Sequence, residues 1–505
     1  MKSLSLWCRL LGLALMLWAG AVTWGHAQAS RLPDLVVTDI VLTPENPRPG
    51  EAVTVQAVIK NQGRGDFSNA FNVRFHLSLA PDDVALTFGA PINDFTAAIQ
   101  RVGRGLKAGA SQTITFNWTV VEVPLIRLRV TADAPLNQVD EADERNNGLQ
   151  KEFFLEEATI NQWWLDAIDA RAALQLERGS EQIVVAVIDT GIDWTHPEIA
   201  DRLWVNPGEI AGNGVDDDGN GFVDDVHGWD FVDRDNNLGG TSRDLHATAV
   251  AGIIAAGDDG KGTTGVAPGV RLMDLRVLDS GGSGFFADIT SAILYAAFNG
   301  ARVINMSLGA PEDLCSGFFQ DFCQDKVQQE LDAQEAAINL VVSMGVVVIA
   351  SAGNEAAEVG YPARFEGAIA IGATTIDNGL AEYSNIGPQV SVTAPGGDLS
   401  EQQLKDLFIL SASNFEAVVP QLATLVITPY PGAGYGWFSG TSSAAPFVSG
   451  VAALILSANP DLTPLQVRQI LEQTATDLGQ EGEDEEFGAG LVNAKRAVEA
   501  ALATR

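Results

Sequence analysis

Apolar residues change their spacing once along this chain, and the change divides it. Over residues 31–155 they alternate with polar ones: Val53, Val55, Ala57 and Ile59 form one series, and Ile126, Leu128 and Val130 another. Alternation places every second side chain on one face of an extended strand. Turn signals punctuate the runs at Pro47-Arg48-Pro49-Gly50, Asn61-Gln62-Gly63 and Lys107-Ala108-Gly109. Short alternating strands with regular turns predict an all-β, antiparallel sandwich over 31–155.

Over residues 156–505 the apolar residues come instead in largely apolar runs, at 183–188, 272–278, 303–308, 346–350 and 368–372. Such runs predict strands buried on both faces of a parallel sheet. The stretches 247–256, 287–298 and 327–344 lie between them and predict helices, as does the apolar run 448–456. Strands alternating with helices predict an α/β fold built on a doubly wound parallel sheet. In such a sheet the site lies beyond the carboxyl ends of the strands.

Composition sharpens this picture at three points. A formal net charge of −35 argues against nucleic acid as a partner, because phosphate binding needs clustered Lys and Arg. Residues 1–29 predict a signal peptide: Lys2 and Arg9 precede an apolar run over 10–22, and Ala27-Gln28-Ala29 supplies a small-x-small cleavage site. No later stretch predicts a membrane span, so the expectation is a secreted, extracellular protein. Of the three cysteines, Cys8 belongs to the leader, and Cys315 and Cys323 predict a local disulfide in an oxidising compartment.

Three stretches of the second region carry candidate chemistry. Val185-Ala186-Val187-Ile188-Asp189-Thr190-Gly191 delivers an aspartate at the carboxyl end of a buried strand. Asp244-Leu245-His246-Ala247-Thr248-Ala249-Val250-Ala251-Gly252 opens a helix of small residues with a histidine. Phe438-Ser439-Gly440-Thr441-Ser442-Ser443-Ala444-Ala445-Pro446 stands a serine where glycine-rich coil gives way to a helix, with Pro446 read into the first helical turn. Each alone has a plain structural reading: a turn aspartate, a polar helix opener, a helix cap. Together they offer a carboxylate, a base and a nucleophile that must meet in space, not in sequence.

The order Asp, His, Ser and the surrounding motifs resemble the subtilisin-like serine proteases. The resemblance runs from Gln162-Trp163-Trp164 through Gly265-Val266-Ala267-Pro268, Asn305-Met306-Ser307-Leu308-Gly309 and Ala352-Gly353-Asn354-Glu355. It continues through Tyr361-Pro362-Ala363 and Thr393-Ala394-Pro395-Gly396 to Gly488-Ala489-Gly490-Leu491-Val492-Asn493-Ala494. It implies Ser442 as nucleophile, His246 as general base, Asp189 as its orienting partner and Asn354 as an oxyanion donor. It further implies that Gly282-Ser283-Gly284 and Ser307-Leu308-Gly309 pair with an extended polypeptide substrate, and that Glu355 lines the primary specificity pocket.

Two departures stand out: Ala247 and Ala249 replace a usual Gly and His, and Ser443 replaces a common Met. Asp34-Leu35-Val36-Val37, Val58-Ile59-Lys60-Asn61-Gln62-Gly63 and Asp140-Glu141-Ala142-Asp143-Glu144-Arg145-Asn146-Asn147 resemble a CARDB-type Ig-like domain. That likeness implies an accessory module, a spacer or the binder of an extracellular ligand.

Clustered oxygen ligands suit calcium, and Asp216, Asp218 and Asn220 followed by Gly221 copy the first half of an EF-hand loop. His227 stands where that loop needs its bidentate Glu, so Asp224 or Asp225 would have to close a different site, against the alternative of a solvated acidic loop. The run Asp140 to Glu144 reads as a solvated turn ahead of a second calcium site. The insertion between Gly397 and Gly436 is expected to add surface near the rim of the site. The reading that results is a secreted serine endopeptidase. An inert, protease-like adhesion or binding protein is its rival, and an esterase using the same three residues a third.

Overall fold

The computed structural model describes residues 32–505, apart from 46, 48–50, 79–94, 120–124, 134–140, 142, 144, 155–160, 239–244, 261, 311–319, 401–402, 404–418 and 432–433. The expected leader at 1–29, and Cys315 of the expected disulfide, lie outside the described residues. These form two compact units, one ending at Phe154 and one running from Asn161 to Arg505.

The first unit contains β1 (Leu35–Thr43), β2 (Ala52–Asn61), β3 (Phe71–Ser78), β4 (Phe95–Val102), β5 (Ser111–Thr119), β6 (Leu125–Ala132) and β7 (Gly148–Phe154). They form two antiparallel sheets, ordered β1-β2-β5 and β4-β3-β6-β7. The alternating pattern has its expected effect: Val53, Val55, Ala57 and Ile59 of β2 all face the core. Asn61 is fully buried, and its carboxamide donates to the carbonyls of Gly65 and Leu106 at 2.9 Å each. Its oxygen accepts from the N–H groups of Asp34 and Gly63 at 3.0 Å each, so the side chain is fully used. Glu141 departs from the expected solvated turn. It is buried, and its carboxylate accepts from the Leu35 N–H and from Asn147 Nδ2, clasping the start of β1.

The second unit is built on a seven-stranded sheet. It contains β8 (Val184–Asp189), β9 (Gly228–Asp230), β10 (Arg271–Arg276), β11 (Val303–Met306), β12 (Val347–Ser351), β13 (Ala368–Thr374) and β14 (Val390–Pro395). Their order is β14-β13-β12-β11-β8-β10-β9, with every neighbouring pair parallel. The chain leaves β8 toward β9 and β10, then crosses back to β11. The strand order therefore reverses at β8, and the carboxyl end of β8 opens into a crevice.

The helices that position the site are α1 (Leu245–Ala255), α2 (Phe286–Phe298), α3 (Gln320–Ser343) and α4 (Thr441–Ala458). Helix α3 begins before the expected 327 and takes in Cys323, one of the two cysteines of the expected disulfide. Helix α4 is long and apolar enough to cross a membrane, yet it is buried inside the unit as its core helix.

The second half of the insertion is not added surface. It forms the hairpin β15 (Val426–Tyr430) and β16 (Gly434–Phe438), and β15 is buried throughout. Thr428 Oγ1 donates to the Ala249 carbonyl of α1 at 2.7 Å. Gly252 is small for the same reason: a Cβ there would meet the Pro429 ring at 2.3 Å. His196 Nε2 lies 2.9 Å from the Gly434 carbonyl and ties the other strand down.

Candidate active site

Asp189 ends β8, and its side chain is fully buried at the point where the strand order reverses. A buried carboxylate needs donors, and it has them. Its Oδ1 accepts from the Thr190 N–H at 2.7 Å, while His246 Nδ1 lies 2.8 Å from Oδ1 and 2.9 Å from Oδ2. That contact assigns the proton to Nδ1 and leaves Nε2 as the basic nitrogen.

His246 is the second residue of α1, and the loop after Asp189 holds that helix in place. The Ala247 N–H donates to Thr190 Oγ1 at 3.2 Å, and the Asp193 N–H donates to Thr248 Oγ1 at 2.8 Å. Phe438 of the hairpin packs edge-on against the imidazole, with ring centroids 5.2 Å apart.

Ser442 is the second residue of α4, so its N–H has no carbonyl partner within the helix. Its hydroxyl donates to the Ser307 carbonyl at 3.2 Å. A chain of hydrogen bonds fixes this turn: Ser449 Oγ donates to Asn305 Oδ1 at 2.8 Å, Asn305 Nδ2 to Ser307 Oγ at 3.0 Å, and Ser307 Oγ to the Ser442 carbonyl at 3.0 Å. The Asn305-Met306-Ser307 stretch thus acts as a bracket between β11 and α4.

Asn354 approaches the same turn from the end of β12. Its Oδ1 accepts from the Thr441 N–H at 2.8 Å and from Thr441 Oγ1 at 2.9 Å. Two donors on one side fix the oxygen and so orient Nδ2 as the remaining donor. Gly440 makes the approach tolerable: its φ is +110° and a Cβ there would stand 3.2 Å from Asn354 Nδ2. Glu355 braces Asn354, accepting from the Asn354 N–H and from Asn385 Nδ2 at 2.9 Å each.

Both expected substrate segments reach one cleft of about 410 Å³. Gly282, Ser283, Gly284, Ser307, Leu308 and Gly309 line it together with His246. Glu355 is absent from that lining.

The acidic loop draws together residues that the sequence kept apart. Carboxylate oxygens of Glu209, Asp216 and Asp218 lie within 4.8 Å of one another. Glu209 escaped the sequence reading because it lies outside the acidic run. Asp224 and Asp225 are used elsewhere: Asp224 accepts from the N–H groups of Asn213 and Gly214 at 3.1 and 2.8 Å, and Asp225 from Asn206, Asn220 and Tyr295. Asn220 Nδ2 also donates to Asp218 Oδ2, at 3.2 Å. Three converging carboxylates suit a hard divalent cation, which would relieve their mutual repulsion.

One further residue escaped the sequence reading. Asp274 of β10 is buried beside Asp189, and its Oδ2 accepts from the Ile192 N–H at 3.0 Å. Its Oδ1 has no partner. The Ser443 hydroxyl, at the position where a Met is common, is likewise buried without a partner.

A parallel sheet whose central strand presents a buried Asp to a helix-borne His, with a Ser heading a buried helix, defines a class of hydrolase. The profile of the Subtilase family matches residues 180–490, and the chain belongs to that family. A second profile, CARDB, matches residues 32–151. Among relatives, Subtilisin Savinase of Lederbergia lenta is 32% identical over 338 residues, spanning 66% of this chain and 97% of that protein. Subtilisin NAT of Bacillus subtilis subsp. natto is 35% identical over 324 residues, spanning 63% of this chain and 66% of that one. The crystal structure of a lanthipeptide protease matches with a TM-score of 0.52 at 28% identity, covering 67% of this chain and 94% of that one. The chain is a subtilisin-like serine endopeptidase.

Proposed function

We propose that the protein is a secreted endopeptidase that cleaves polypeptides through Ser442, His246 and Asp189. The observation that carries this reading is the Asp189–His246 pair, bonded at 2.8 Å on the wall of a cleft that shares Ser307 with Ser442. Ser442 Oγ attacks the scissile carbonyl carbon as its proton passes to His246 Nε2. Asp189 stabilises the imidazolium through Nδ1–H. The oxyanion accepts from the Ser442 N–H and Asn354 Nδ2. Collapse expels the amine, which takes the proton back from Nε2. Water then repeats the sequence on the acyl-enzyme and frees Ser442. The segments Gly282–Gly284 and Ser307–Gly309 line the cleft on either side of an extended peptide, which favours an unfolded chain over a small ester.

Calcium belongs to this reading as a structural ion, held by Glu209, Asp216 and Asp218. Its charge would knit the loop between β8 and β9. The leader at 1–29 supports export, and the CARDB region supports an extracellular ligand or spacer role. The first experiment is labelling of the purified protein by a fluorophosphonate beside Ser442→Ala and His246→Ala. Labelling of the native protein alone is the expected result. Folded native protein that neither labels nor cleaves peptides would favour the inert binding reading.

A further inference from the structure

One wall of the cleft carries a residue that the proposed chemistry leaves unexplained. Gln334, on α3, is 1% exposed, and neither its Oε1 nor its Nε2 has a hydrogen-bond partner. A buried carboxamide without partners is destabilising, and native interiors contain few of them. This one lines the substrate cleft, beside Leu278, Phe286, Ile289 and Leu308. A stripe of apolar walls with one unsatisfied donor and one unsatisfied acceptor is the chemistry of a subsite that selects its occupant.

We propose that Gln334 determines specificity by receiving a substrate side chain with an apolar stem and a carboxamide tip, glutamine above all. This rests on the reading of the cleft as a peptidase subsite. The tip's N–H would donate to Oε1 and its carbonyl would accept from Nε2, head to tail, satisfying both orphan atoms. Methylenes suit the walls formed by Leu278 and Ile289. A carboxylate or ammonium is rejected, because one neutral amide does not offset the desolvation of a charge. A wholly apolar side chain fits the walls and leaves Gln334 unpaired. Sites built to hydrogen-bond a substrate reject analogues that lack the bonding group far more strongly than apolar pockets reject a missing methylene.

The test uses the full chain and internally quenched peptides in which each position in turn carries Gln, Met, Leu, Glu or Lys. At one position the native enzyme is expected to favour Gln over Met and Leu about tenfold or more in kcat/KM, the factor that leaving one buried polar group unpaired would produce. Gln334→Leu, which fills the same space, should invert that ratio at that position and leave the ratios at other positions unmoved. Gln334→Met gives the same reading should the leucine variant fail to fold. A merely structural role would change all peptides alike and keep the ratio, and that result would overturn the proposal. Equal rates for Gln and Leu at every position in the native enzyme would also overturn it, while the peptidase reading stood. A native protein that cleaves no peptide and takes no fluorophosphonate would remove both.

Discussion

The Ser307 hydroxyl donates to the Ser442 carbonyl at 3.0 Å, in the place that the N–H of residue 446 would occupy in an unbroken helix. Residue 446 is proline and has no N–H to give. The sequence suggests Pro446 for the first turn, but α4 begins at Thr441, so the proline deprives Ser442 itself of its intrahelical bond. A donor just beyond β11 replaces that bond and links the turn of Ser442 to the sheet. Ser307→Ala should therefore destabilise the protein by about 2 kcal/mol, the usual loss when a buried acceptor is stranded. In a Pro446→Ala background the same change should cost less, because the restored N–H reaches Ser442. Denaturant unfolding of the four proteins measures the coupling, and strictly additive losses would refute it.

Asn354 offers its amide nitrogen only because Thr441 holds its oxygen through two bonds. Replacing Asn354 by Leu should lower kcat about 100- to 1,000-fold with little change in KM, since the donor acts on charge that develops in the transition state. A variant that raised KM and kept kcat would show that Asn354 binds the ground state instead.

Asp274 makes stability depend on pH. Burial above all, with smaller contributions from the charges of Asp189 and Asp230, pushes its carboxyl well above the ordinary value of 3.8, against the Ile192 N–H and Arg276. A raised folded pKa means that its contribution is fully present below about 3.8 and is lost as pH climbs toward the raised value. Asp274→Asn keeps an acceptor for Ile192 and removes the titration. The variant should gain in Tm relative to the native protein as pH rises from 4 to 8. A Tm difference that stays constant across that range would show that Asp274 does not titrate there.

Chelation should lower Tm if calcium joins Glu209, Asp216 and Asp218, and added calcium should restore it. Glu209→Gln should abolish the calcium response while Asp225→Asn, outside the cluster, keeps it. Identical melting curves with and without chelator would remove calcium from the account.

Most of the scaffold was legible because buried parallel strands are written as largely apolar runs. Asp189, His246 and Ser442 stood out because each interrupts or heads such a run at an element's end. What stayed hidden depends on which chain segments return to meet each other. Glu209 reaches Asp216 and Asp218 only because a loop doubles back. Asp274 was visible as a charge inside Met273-Asp274-Leu275, yet nothing local told that it lies under the loop after Asp189. Gln334 reads as an ordinary polar residue of an exposed helix face until the cleft is seen beside it. The hairpin at 426–438 was taken for surface because its aromatic and glycine residues follow neither strand nor helix period strongly.

Helix α4 has one more consequence. Every residue from Ser443 to Leu456 is buried, so the helix cannot fray at its head without opening the core around it. Loss of the Ser442 alignment is thereby coupled to opening of the core around α4. For a peptidase, whose own chain is also polypeptide, this separates prey from predator. A copy cut because this core has opened has, in the same event, lost the power to cut.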